Sequence, residues 1–417
     1  MENPTILLIG TVDTKSDEIA FLSRCIGQAG GHALVMDVGV LGRGGCRADI
    51  TNTEVAAAAG MTLEQAAASG DENSAMRTMA CGAALLAAKL QGQGRIAGVL
   101  ALGGTMGTDL ALDVTSALPL GFPKVVLSTI AYSHLLPSER IAPDLIMVLW
   151  VGGLYGLNSL CRSALSQAAG AVLGACRSVI APLPGRPMVG MTSLGSSVLG
   201  YMKLLKPELE RRGFEVAVFH TTGMGGRAFE TLAAQGRFVA VMDLCLQELV
   251  NHLGGSCVTA GADRLLGAGR AGVPQIVAPG ATDMIDYAAW SGLPERFQGR
   301  AAHTHNRLIA SVCIDPPMRR SVARAIGARL SQATGPTVLL VPTQGVEGWD
   351  RAGQPLHDPE GLGALVDELR TAVGTGTQLI ELDAHINDAA FAAAVLQVFD
   401  RWVAEGLIAA PEAAELQ

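Results

Sequence analysis

The chain has 417 residues and a formal net charge of −8, with no cluster of lysine or arginine that would serve as a general nucleic-acid surface. That length exceeds one ordinary core and predicts two domains. Hydrophobic residues make up 49% and the mean hydropathy is +0.34. The longest apolar run, 145–157, is interrupted by glycine and falls short of the roughly 20 residues that span a bilayer, so no membrane partner is expected. Scarce aromatics and abundant alanine and glycine fit close packing of helices on a parallel sheet. The 8 cysteines form no Cys-x-x-Cys pair, so no zinc knuckle or redox motif is written, and the start carries no basic leader. A cytoplasmic protein with reduced thiols is expected.

The first apolar run, 5–10, has strand length, and 16–29 has helical spacing closed by Gly30 and Gly31. Between them Thr11, Asp13, Thr14 and Lys15 bring two hydroxyls, a carboxylate and an ammonium to the carboxyl end of a strand, where doubly wound sheets bind ligands. Capping of the next helix is the structural alternative. Residues 32–38 read as a second strand, with Asp37 where nucleotide-binding folds take a ribose hydroxyl. The polar stretch 41–73 reads as a surface excursion with one short helix near 63–68, and 74–91 as an amphipathic helix. The buried run 96–102 opens into Gly103-Gly104-Thr105-Met106-Gly107-Thr108, ahead of a helix at 109–117. A strand ending in glycines and hydroxyls before a helix start leaves backbone amides facing outward at the positive end of the helix dipole, a ready anion site. A plain turn is the alternative, since neither standard glycine-rich nucleotide motif is matched. Strand 125–130 brings Ser128 and Thr129 to the same edge, 143–151 reads as a strand or helix start, and 158–176 as a helix.

Three prolines and a glycine within 181–187 mark a linker between domains 1–180 and 188–417. The same grammar then restarts: strand 188–191, loop 192–197, helix 198–212 and strand 215–220. His220 tips that strand and precedes a second glycine-rich turn holding Thr221, Thr222, Gly223, Gly225, Gly226 and Arg227, a second candidate anion loop. A strand at 238–242, a helix at 244–253 and a strand at 274–280 follow. Asp263 beside Arg264 reads as a cap with an ion pair rather than an acid catalyst. His303 and His305 would share one face if extended and could ligate zinc, but no third ligand lies nearby in sequence. Strands 337–342 and 379–383 close the pattern, the last beside Glu381, Asp383, His385 and Asp388, polar groups suited to acid–base work or to hydrogen bonds that hold a cleft. No nucleophile elbow is recognisable.

Six motifs occur in order: GTVDTK at 10–15, GGTMGT at 103–108, PKVVLST at 123–129, FHTTGMGGRA at 219–228, GVPQIVAPGA at 272–281 and ELDAHIND at 381–388. Together they resemble the uncharacterised bacterial and fungal family that shares its fold with the amino-terminal domain of the tomato mosaic virus resistance protein. The resemblance covers nearly the whole chain and departs from the family pattern at Ser16, Thr105 and Met106. It implies an α/β fold of two Rossmann-like subdomains, each a mainly parallel sheet flanked by helices with a cleft between them, a homodimer, and ATP with magnesium in the first subdomain.

The leading expectation is a nucleotide-dependent enzyme acting on a small-molecule ligand. Thr11, Asp13, Thr14, Lys15, Asp37, Gly103, Gly104, Thr105, Gly107, Thr108, Ser128 and Thr129 would form the ATP site. Lys15 would neutralise phosphate, and Asp13 would hold magnesium through water. His220, His385 and Glu381 are the candidate catalytic groups. Two alternatives stand beside it: a dimeric binding or regulatory module that the nucleotide stabilises without turnover, and an enzyme for a phosphorylated sugar or acid that does not use ATP.

Overall fold

Strand β1 (Thr5–Gly10) is a run of Leu and Ile whose last five residues are buried, as expected for a strand covered on both faces. The structure is a computed structural model and describes residues 3–42, 45–180 and 186–411. The chain divides into two compact units, Met1–Pro182 and Leu183–Gln417. The linker expected at 181–187 falls at this division, and its residues 181–185 lie outside the described residues.

In the first unit β1 leads to α1 (Val12–Gln28), β2 (His32–Asp37), α2 (Asn52–Ala58), α3 (Leu63–Ala67) and α4 (Glu72–Gly92). Next come β3 (Gly98–Gly103), α5 (Thr105–Ser116), β4 (Lys124–Ser128), β5 (Ile146–Leu149) and α6 (Ser159–Ser178). The five strands lie in the order β2-β1-β3-β4-β5, all parallel. Alternate strand residues feed two cores: Leu7, Ile9, Val99 and Ala101 pack with α4 and α5, and Ile6, Leu8, Leu100 and Leu102 with α1 and α6. The excursion 41–73 holds two short helices rather than one, and both begin with capping boxes, Thr51 with Glu54 and Thr62 with Gln65.

The second unit runs β6 (Met188–Ser193), α7 (Leu199–Arg211), β7 (Glu215–His220), α8 (Met224–Ala234), β8 (Ala240–Cys245), α9 (Gln247–Leu253), α10 (Gly267–Arg270) and β9 (Gln275–Gly280). It continues through β10 (Met284–Ala288), β11 (Ala302–Thr304), β12 (Ile309–Cys313), α11 (Pro316–Leu330), β13 (Thr337–Pro342), α12 (Pro359–Ala372), β14 (Gln378–Leu382) and α13 (Ala389–Ala404). Six parallel strands take the order β14-β13-β9-β8-β6-β7. A small antiparallel sheet, β10-β12-β11, is inserted after β9. Its three strands are short, which is why hydrophobic periodicity did not announce them. Two mainly parallel α/β units are thus the architecture, and each follows the strand order of doubly wound folds.

Candidate functional site

In the first sheet the chain passes from β1 outward to β2 and then back across to β3, so the switch point lies between β1 and β3. Ligands of such sheets bind outside the carboxyl ends of the strands at that point. A pocket of about 410 Å³ opens there, lined by Thr11, Asp13, Thr14 and Lys15 on one side and by Gly103, Gly104, Thr105, Met106 and Gly107 on the other. The two motifs, some ninety residues apart in sequence, therefore form one site.

The helix start on the β3 side is built by close backbone approach. A Cβ on Gly103 would sit 2.5 Å from Gly107 Cα, so only glycine lets β3 turn this tightly into α5. Gly104 caps α5 without a side-chain hydrogen bond, and the Thr108 amide donates to the Gly104 carbonyl (2.9 Å). The amides of Thr105, Met106 and Gly107 precede that bond and belong to the pocket-lining turn. Thr108 and Ser128 do not line the pocket: their hydroxyls bond each other at 2.7 Å, fully buried, and tie α5 to β4. Thr129 lies near Gly104, its hydroxyl 3.7 Å from where a Cβ there would stand, and its amide donates to the Gly103 carbonyl.

On the β1 side Asp37 takes a different part from the ribose contact expected of it. Its Oδ1 accepts from the amides of Val12 (3.0 Å) and Gly39 (2.9 Å), so the carboxylate caps α1 and anchors the turn after β2. Burial raises its pKa against those two hydrogen bonds. Asp13 Oδ2 accepts from the Leu41 amide at 2.9 Å, while Oδ1 is buried without a partner among the described residues. An orphaned buried carboxylate oxygen beside a helix start suits a hydrated cation. Thr11 and Thr14 share a hydroxyl contact of 2.7 Å. Lys15 breaks the helical φ/ψ of α1 and sets its ammonium 5.3 Å from the centre of the Tyr155 ring. The buried Glu18 carboxylate accepts from the Gly156 amide (2.9 Å), which holds the Tyr155 loop against α1.

Sequence reasoning missed the remaining walls: Gly39, Val40 and Leu41 after β2, and Glu72, Ala75, Met76 and Met79 of α4. The stretch 41–73 carries no chemical motif of its own, though the apolar stripe of α4 signals that something apolar faces it.

In the second unit the anion loop is already filled. Glu248 Oε1 accepts from the amides of Gly223 (2.6 Å) and Gly226 (3.0 Å), so a carboxylate of α9 occupies the start of α8. A Cβ on Gly226 would meet Glu248 Oε2 at 1.7 Å. Glu248 is in turn held by Arg264, which also binds Asp243 and Glu230, all buried. Asp263 is not the partner of Arg264. Thr221 is buried and donates to the Ser193 carbonyl, and Gly225 packs on the His220 carbonyl. Thr222 is exposed, its hydroxyl 3.3 Å from His220 Nδ1, and Arg227 lines a separate pocket with Asp263 and Arg270. The geometry thus corrects the expectation of a phosphate loop here.

Two catalytic candidates are corrected as well. His385 is buried: its Nε2 donates to the Glu347 carbonyl (2.8 Å) and its Nδ1 accepts from the Asn387 amide (3.1 Å). No nitrogen remains to take a proton, and burial holds its pKa low. Glu381 is exposed and paired bidentately with Arg370 at 2.7 Å, which lowers its pKa. His220 is exposed and carries no ion pair among the described residues, its Nδ1 lying 3.3 Å from the Thr222 hydroxyl. His303 and His305 are brought together, ring centres 4.6 Å apart, yet no group of three or more metal-ligating side chains occurs among the described residues.

The two units coincide with two family domains. Residues 4–181 match the N-terminal domain, and residues 186–403 the C-terminal domain, of the uncharacterised protein family UPF0261. A UPF0261 protein of Brucella melitensis is 56% identical over 97% of each chain, and one of Clostridium tetani is 34% identical over 94% of this chain and 97% of its own. The ToMV resistance protein Tm-1(GCR237) of Solanum lycopersicum is 31% identical over 73% of this chain and 41% of its own length. Matched in both halves and by near-full-length relatives, the chain belongs to the UPF0261 family.

Proposed function

We propose that the first unit binds ATP with magnesium and that the chain is a nucleotide-dependent enzyme acting on a small metabolite. The observation that carries this reading is the convergence, in one pocket at the switch point, of an uncapped helix start with Lys15 and the orphaned Asp13 oxygen. The first-turn amides of α5 would take phosphate oxygens, with Thr105 adding a hydroxyl. Lys15 would offset phosphate charge, and Asp13 would hold the cation through water. Bound ATP would supply an activated phosphoryl group. The apolar wall of Met76, Met79 and Val40 suits a base or another flat ring.

A homodimer and a cytoplasmic setting belong to the same proposal. The exposed apolar side chains Ile146, Leu149, Val151 and Leu160 around edge strand β5 support the dimer. No helix among the described residues is long and apolar enough to cross a membrane.

Calorimetric titration of ATP, with and without magnesium, into the parent and Lys15→Ala tests the reading. Saturable binding that weakens by about tenfold or more in the variant is the expected result, on the scale of one lost charge-assisted contact. Equal affinity in the two proteins would remove Lys15 from the site, and no binding at all would leave the pocket to another anion.

A further inference from the structure

We infer that the second unit holds a proton-transfer centre of its own, in which His305 Nδ1 is the base and an anionic small molecule with an ionisable O–H or C–H is the substrate. It does not depend on the nucleotide reading of the first unit. The centre is built on the inserted sheet. Asp286 of β10 faces Ser311 of β12 directly across the ladder, and Ser311 faces His303 of β11. The Ser311 hydroxyl donates to Asp286 Oδ1 at 2.5 Å and lies 2.9 Å from His305 Nε2. A serine has one proton to give, so with that proton on Asp286 its oxygen must accept from Nε2–H. The imidazole is therefore held in the tautomer whose Nδ1 lone pair is free.

Asp286 is buried and fixed from behind. Its Oδ2 accepts from Asn251 Nδ2 (3.1 Å), its amide donates to Asn251 Oδ1 (2.8 Å), and the Asn251 amide group also donates to the Val258 carbonyl. Four groups thus run in line from an exposed imidazole to the interior. The outer end is also positioned: the Trp349 ring lies 4.3 Å from His303 and 5.1 Å from His305, centre to centre. The loop carrying Trp349 is pinned by the bond from His385 to the Glu347 carbonyl and by the Gly348 amide to the Ser197 carbonyl (2.7 Å). His385 is hence a positioning residue in this centre.

Ser311 is 1% exposed and cannot be a nucleophile. The chemistry left to the site is proton transfer: Nδ1 takes the proton of the substrate O–H or C–H, the ring becomes imidazolium with Nε2–H still on Ser311, and Asp286 stabilises the new charge. The proton then returns to product or water. Half-buried His303 and exposed His305 and Arg307 along this edge are neutral or cationic, while the carboxylate lies behind them, so the substrate is an anion.

The test uses the full chain and p-nitrophenyl acetate as a probe of the free lone pair. Nδ1 attacks the acyl carbon, p-nitrophenolate leaves, and water hydrolyses the resulting acyl-imidazolium to acetate and two protons, restoring the neutral ring with its proton on Nε2. His305→Gln, an exposed substitution, is expected to lower the rate about tenfold or more, and His32→Gln, at an exposed histidine of the first unit, to leave it within about twofold. Inorganic phosphate should slow the parent competitively. Long-range proton–nitrogen correlation spectra should place the His305 proton on Nε2 in the parent and on both nitrogens in Ser311→Ala. A His305→Gln rate equal to the parent overturns the base, a rate indifferent to phosphate overturns the anionic substrate, and an unchanged tautomer in Ser311→Ala overturns the relay.

Discussion

Single residues decide how much of each unit is held by necessity. Gly103 has no room for a methyl group, and Gly103→Ala should destabilise the chain by about 1–3 kcal/mol, the usual cost of forcing atoms into a packed site, and abolish the pocket's shape. Urea unfolding measures the first effect and nucleotide titration the second. Asp283 and Glu347 are a different kind of constraint: both are fully buried, and all four of their carboxylate oxygens lack partners among the described residues. Burial pushes both carboxyls well above the ordinary carboxylate range, with the Arg319 guanidinium opposing it at Asp283 and the Asp283 carboxylate adding to it at Glu347. For an acid whose folded pKa lies above its unfolded value, the native state binds the extra proton between the two, so stability falls as pH rises above the ordinary carboxylate pKa of about 4. Asp283→Asn should therefore raise the unfolding midpoint at pH 8 and change it little at pH 4. A larger gain at the acid end would contradict this sign.

At the scale of elements, the two glycine-rich helix starts look alike in sequence and differ in what meets them. The start of α5 is left without a side-chain cap, whereas that of α8 is closed by Glu248. Glu248→Ala would free the Gly223 and Gly226 amides but leave Arg264 with two carboxylates instead of three. Removing one member of such a buried ionic group should cost about 3–5 kcal/mol, read by chemical denaturation. Burial raises Glu248 to about 6 even with Arg264 beside it, so its charge is retained at neutral pH by that guanidinium and the two amides. The strand-rich insertion shows the same dependence on context. β11 is three residues long and carries no pattern of its own, yet pairing with β12 sets His303 opposite Ser311.

Over the whole molecule, two α/β units of similar strand order differ in what meets their glycine-rich helix starts. If the first unit binds ATP, ligand at 100 times its dissociation constant adds about 2.7 kcal/mol to that unit alone. Hydrogen exchange should then slow in β1, β3 and α5 and stay unchanged in β6 to β9. Uniform slowing in both units would place the nucleotide elsewhere. Much of this organisation was legible in the sequence, because buried parallel strands are continuous apolar runs and the helices between them keep a 3.6-residue period, both local signals. The pairing of Thr11–Lys15 with Gly103–Gly107 was legible too, since strand ends in doubly wound sheets converge on one edge. What only the tertiary structure decided were the groups that satisfy polar atoms across long separations. Glu248 fills a loop 25 residues away, the Glu347 carbonyl takes the His385 proton 38 residues away, and Asp37 caps a helix 25 residues earlier. Spacing along the chain names the residues that can bind, but a hydrogen bond to a distant partner determines which of them are still free to do so.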